Sequence, residues 1–122
     1  MVPTHVPRQF ALIVSAFLLV EGIWELFSPV VFGAFSSNQV HGVIHIVLGI
    51  GGLVAAARGA ARGFLTFLGV VLLAVGILWF VPATRHIPED VINVNRAVAI
   101  FNVILGAVSL FMARDARRHA RL

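Results

Sequence analysis

The feature that most restricts this chain is a set of four apolar runs, each close to the roughly 20 residues a helix needs to cross hydrocarbon. We place the spans near residues 9–29, 38–57, 63–82 and 92–113. Inside a bilayer every backbone N–H and C=O must find a partner within the protein. Four runs are too few to close a barrel, so the spans are helices. Hydrophobic residues make up 60% of the chain and charged ones 11%, whereas a soluble domain has about a quarter charged. At 122 residues the expectation is one all-α membrane domain over 1–122, a four-transmembrane-helix bundle.

Charge sets the orientation. All nine basic side chains are arginine, and the absence of lysine beside many Ala, Gly and Val points to a GC-rich bacterial genome. With the N-terminus inside, Arg8, Arg58, Arg62, Arg114, Arg117, Arg118 and Arg121 face the cytoplasm, against Arg85 and Arg96 outside. Seven against two is a positive-inside pattern with both termini cytoplasmic, and it places the protein in the bacterial inner membrane. Trp24 and Trp79 then fall near the outer interface. The first run continues into EGIWELF rather than a small-residue cleavage site, so it reads as a retained signal-anchor. Pro29 and Pro82 close the first and third spans. Residues 114–122 read as a polybasic tail on anionic head groups or a stop-transfer signal.

The chain repeats. An offset of 57 aligns Asn38 with Asn95, Gly42 with Ala99, His45 with Asn102, Gly49 with Gly106, Gly52 with Ser109 and Ala56 with Ala113. An offset of 54 aligns Arg8 with Arg62, Phe10 with Phe64, Leu18 with Leu72 and Gly22 with Gly76. The spans therefore form two tandem helical hairpins related by a pseudo-twofold along the membrane normal. Asn38, Gly42, His45, Gly49, Gly52 and Ala56 step by three or four, so they share one helix face, as do Asn95, Ala99, Asn102, Gly106, Ser109 and Ala113. Small and polar stripes let membrane helices approach closely, so the second and fourth spans are expected to meet at the bundle centre.

The segment VFGAFSSNQVHGVIHIVLGIGGLVAAAR resembles a family of small four-span bacterial membrane proteins of unknown function. Its pattern, N-x-x-H-x-x-x-H-x-x-x-G at the start of the second span, is matched here by Asn38, His41, His45 and Gly49. In the second copy Asn95 and Gly106 are kept, while Val98 and Asn102 stand where histidines would. The resemblance implies the four-span fold and no biochemical activity.

Ionisable groups within spans are functional candidates by default. At about 1.5 Å rise per residue, Glu21 and His45 lie about 10 Å below the outer surface, and Glu25 and His41 about 5 Å below it. Each pair at i, i+4 shares one helix face. The expectation is a set of level pairs, Glu21 with His45 and Glu25 with His41, with Arg96 available to Glu25. Three uses remain open: a buried polar network that fixes helix register, a metal site for Zn²⁺ or a redox metal on Glu21, Glu25, His41 and His45, and a proton or small-ion relay. Asn38 and Asn95 read as helix caps, and Glu89 and Asp90 as the acidic start of the fourth span.

Without cysteine there are no thiolate sites, and no phosphate loop, nucleophile elbow or zinc-protease motif is present. The sequence pI near 11.7 comes from scattered arginines without the aromatic interleaving of a nucleic-acid surface. The expectation is a non-enzymatic structural or accessory membrane protein with no established cofactor. Its partners are the lipid bilayer and either further copies of itself, met through glycine-lined faces, or another membrane protein. The alternative is a metal- or proton-handling protein built on the Glu/His cluster.

Overall fold

The computed structural model describes residues 5–121, with side chains as far as Arg114. The rest of the expected polybasic tail lies outside the described side chains. The element order is α1 (His5–Glu25), β1 (Val30–Val31), β2 (Phe35–Ser36), α2 (Gln39–Ala57), α3 (Ala61–Phe80), α4 (His86–Ile92) and α5 (Arg96–Arg121). The helices α1, α2, α3 and the Arg96–Arg114 part of α5 are each long and apolar enough to cross a membrane. The protein is a multi-pass helical bundle.

Local chemistry sets the ends. α1 stops at Glu25, short of Pro29, because residues 26–28 tighten into a turn in which the Ser28 N–H donates to the Trp24 carbonyl at 3.0 Å. Asn38 caps α2, its side-chain oxygen accepting the His41 N–H at 2.9 Å. Gly59, at φ 79°, turns α2 into α3, with the Ala60 N–H reaching back to the Ala55 carbonyl at 2.7 Å. The fourth span does not begin at residue 92. Asn93 adopts a left-handed conformation (φ 53°) that ends α4, and α5 starts at Arg96 after Asn95 accepts the Val98 N–H at 3.0 Å. Glu89 and Asp90 therefore belong to α4, and it is this short helix whose positive end Glu89 meets.

The small-residue stripes pack inside each hairpin, α2 on α1 and α5 on α3, while the backbones of α2 and α5 do not approach closely among the described residues. This overturns the expected central meeting of the second and fourth spans. A narrow stripe admits whichever backbone comes first, and the short connection makes that the hairpin neighbour. A Cβ on Gly22 would lie 2.7 Å from the Gly42 carbonyl oxygen, and one on Gly49 2.8 Å from that of Ser15. In the other hairpin a Cβ on Gly76 would lie 3.0 Å from the Ala99 oxygen, and one on Gly106 3.0 Å from that of Gly69. Gly52 meets Ser15 and Phe64 in the same crowded way. Between hairpins the core is aliphatic: Val14 and Leu18 of α1 against Leu68 and Leu72 of α3, with Ala11, Ala56, Leu65 and Ala113 nearer the Arg58 end.

At the opposite end the two connections cross over. β1 and β2 pair antiparallel, Val30 with Ser36 and Val31 with Phe35. The Phe32 ring at their turn stacks on Phe17 of α1 at 5.8 Å, and Phe35 packs on Phe101 of α5 at 5.2 Å. The Asn38 amide donates to the Val91 carbonyl at 3.0 Å, and the Asn95 amide donates to that of Ala34 at 2.8 Å. The Asn93 amide donates to the Ser37 carbonyl at 2.9 Å, while the Ser36 hydroxyl donates to the Asn93 carbonyl at 2.5 Å. Each hairpin's connection is thus held by the other hairpin.

Candidate metal and proton centre

α1 and α2 are the elements that bring the four ionisable groups together. Gly22 and Gly42 let the two backbones touch at the level of the cluster. Glu21 and Glu25 on one helix then face His41 and His45 on the other. All four are buried, at 5, 3, 4 and 7% exposure respectively, which is close to the least water such groups are found with.

His45 is the hub. Its Nδ1 lies 2.5 Å from Glu25 Oε1 and 3.0 Å from Glu21 Oε1, so one ring nitrogen faces both carboxylates. His41 Nδ1 stands 3.5 Å from Glu25 Oε2, beyond a good hydrogen bond, and has no hydrogen-bond partner. The two imidazoles lie 4.2 Å apart between centroids. Equal depth predicts two separate pairs; the structure joins them, because Glu25 at the end of α1 reaches across to both histidines while Glu21 reaches only His45.

The surroundings hold these groups in place. The Ser37 hydroxyl donates to Glu25 Oε2. The His41 ring also meets the Ile92 carbonyl, at the end of α4. An open cleft of about 340 Å³ at the connection end is lined by Glu25 together with Ser28, Ser37, Asn38 and Gln39. The donor atoms of Glu25, His41 and His45 all lie within 4.8 Å of one another, close enough for one ion to reach all three.

The other expected residues divide. Asn38 and Asn95 cap their helices and brace the opposite connection. Arg96 is exposed and makes none of the cluster's ion pairs, since it opens α5 on the outward side. Asn102 is buried in α5, away from the cluster, and Gly42, Gly49, Gly52, Ala99, Gly106 and Ser109 are packing positions. Trp79 turns inward, with Arg85 over its ring at 4.4 Å, whereas Trp24 is half exposed. Sequence reading missed Ser37 and Ile92. Ser37 was legible as the hydroxyl next to the cap, but Ile92 acts through its carbonyl, which no side-chain pattern reports.

The centre thus gathers two buried carboxyl groups and two imidazoles, groups that bind cations and exchange protons. The arrangement can therefore hold a cation, exchange protons, or do both. The family model for the domain of unknown function DUF4383 matches residues 28–114. The chain belongs to that family. No curated protein and no solved structure matches it.

Proposed function

We propose that this member of a family of unknown function takes up a cation, a proton or a metal ion, at the Glu21–Glu25–His41–His45 centre from the side of its two crossed connections. The observation that carries this reading is the open cleft that Glu25 helps to line, since a purely architectural polar pair needs no way in from water. Arginine distribution makes that side the periplasmic one, with the termini in the cytoplasm of a bacterial cell.

The scaffold is read as a tandem repeat. Two details support a twofold between α1 and α3. The residues packed across that line, Val14 with Leu68 and Leu18 with Leu72, differ by 54. The reciprocal amide contacts, Asn38 on Val91 and Asn95 on Ala34, exchange under the offset of 57.

The test is a titration of purified protein in lipid nanodiscs, counting protons and metal equivalents taken up per chain, beside Glu25→Gln and His45→Gln. The expected result is at least one cation equivalent in the wild type that both variants lack. Equal uptake in all three overturns the reading. Equal uptake with reduced thermal stability in the variants supports the second reading, an accessory scaffold associating with its own copies or with another membrane protein. That reading is favoured by one observation: both Glu25 oxygens already have protein partners, Ser37 and His45.

A further inference from the structure

We infer that the cation is a divalent transition-metal ion, held by His41 Nδ1, His45 Nδ1 and a Glu25 oxygen, with Glu21 closing the fourth position. This rests on the cation-uptake reading above and names the ion for the same centre.

The argument begins with His41. Its Nδ1 is buried and unpartnered, and it aims into the cluster. Leaving a buried polar atom unmade costs about 1–3 kcal/mol, so a permanent vacancy needs a reason. The Ile92 backbone also meets the His41 ring. An imidazole whose other nitrogen donates outward presents a lone pair at Nδ1, which is how metal-ligating histidines are fixed. Ser37 does the corresponding work for Glu25. Both outer contacts come from beyond the two helices that carry the ligands.

Spacing agrees. Ligands about 2.0–2.1 Å from a tetrahedral ion stand about 3.3 Å from each other. His41 Nδ1 and Glu25 Oε2 are 3.5 Å apart, and His45 Nδ1 and Glu21 Oε1 are 3.0 Å apart. The 2.5 Å contact between His45 Nδ1 and Glu25 Oε1 is shorter than that spacing, so these two atoms must part to admit an ion. Two histidines at i, i+4 present one face, the same spacing that zinc helices use. Two nitrogens with carboxylate oxygen suit Zn²⁺, Fe²⁺ or Co²⁺, while Ca²⁺ and Mg²⁺ require more oxygens than the centre supplies.

Binding is then an exchange. The N–H bond at His45 Nδ1 breaks, a metal–nitrogen bond forms in its place, and the proton leaves past Ser37 through the cleft to water. One ion enters and at least one proton departs.

Co²⁺ titration of the wild-type protein in nanodiscs tests this, read by visible absorption and by proton release in buffers of different ionisation enthalpy. We expect one Co²⁺ per chain with the intense bands of a tetrahedral site and proton release. His41→Ala and His45→Ala should each weaken binding at least about 100-fold, and Ser37→Ala about 10-fold. His86→Ala, on an exposed histidine of α4, should leave it unchanged. Should the histidine variants fail to fold, Ser37→Ala and the absorption spectrum decide. No Co²⁺ or Zn²⁺ bound at 100-fold excess overturns the metal assignment, as does binding that survives in His41→Ala and His45→Ala. If proton uptake still depends on Glu25 in either event, the cation reading stands without the metal. If it does not, both fall.

Discussion

In the first hairpin Gly22 rests on Gly42, and Gly49 on Ser15 and Leu19; in the second, Gly76 rests on Ala99, and Gly106 on Gly69 and Leu73. These are the same contacts under the two sequence offsets, yet what they enclose differs. Where the first hairpin has Glu21, Glu25, His41 and His45, the second has Val75, Trp79, Val98 and Asn102. Trp79, Val98 and Ala99 pack there into an apolar cluster with Val75 against it. One crossing of helices thus supports either a charged centre or a greasy one. The close approach of backbones does not require the ionisable groups, and helix register in the second hairpin is fixed without them. This weakens the register-lock account of the cluster, since the second hairpin makes the corresponding glycine contacts with a tryptophan in the carboxylate's place.

The comparison can be broken most directly at positions 25 and 79. Glu25→Ala should abolish cation binding and destabilise the protein by about 3 kcal/mol, because His45 is left buried without its main partner. Trp79→Ala should destabilise by a similar amount, about 3 kcal/mol, through the cavity it leaves, while cation binding persists. Metal titration beside denaturant unfolding in mixed micelles measures both. Loss of binding in Trp79→Ala would show that the two halves are one functional unit.

Glycine substitutions sharpen the structural half of the comparison. Gly22→Leu and Gly76→Leu should each cost about 2–3 kcal/mol, since the new side chain meets the Gly42 and Ile46 backbone in one hairpin and the Val103 side chain and Ala99 carbonyl in the other. Their thermal unfolding shifts should agree closely. A large disparity would mean that the crossings are alike in geometry but not in energy.

The smallest effects come from the caps. Asn38→Ala and Asn95→Ala should each cost about 1 kcal/mol, with matching shifts in unfolding midpoint. A much larger loss at Asn38, accompanied by weaker cation binding, would tie the cap of α2 to the ordering of His41.

How much of this was legible beforehand follows from which forces act along the chain and which act across it. Span number and helix face are written in hydropathy and in three- to four-residue spacing, so the four helices and both stripes were readable. Helical rise gave the matching depths of Glu21 with His45 and of Glu25 with His41. The partner of each stripe was not readable, because glycine at Gly49 or Gly106 records that something comes close without recording what. Nor was the sharing of His45 by both glutamates, which depends on the reach of Glu25 from the last turn of α1. Nothing in the sequence marks Asn93 as left-handed, so Glu89 and Asp90 read as the start of the fourth span and Arg96 as available to Glu25, whereas Arg96 stands at an exposed helix start.

The crossed connections carry a consequence for how the protein is made. Chains are delivered to the bilayer from the N-terminus at about 5–20 residues per second. All four ionisable groups therefore arrive with the first hairpin, while the Ile92 carbonyl that orients His41 and the Asn93 amide that ties down the Ser37 segment arrive seconds later. During that interval the carboxylates sit in an unfinished enclosure, open to the translocation machinery and to water. Completion of the centre is thus a late event in biogenesis, and an ion offered too early would meet ligands with nothing yet behind them.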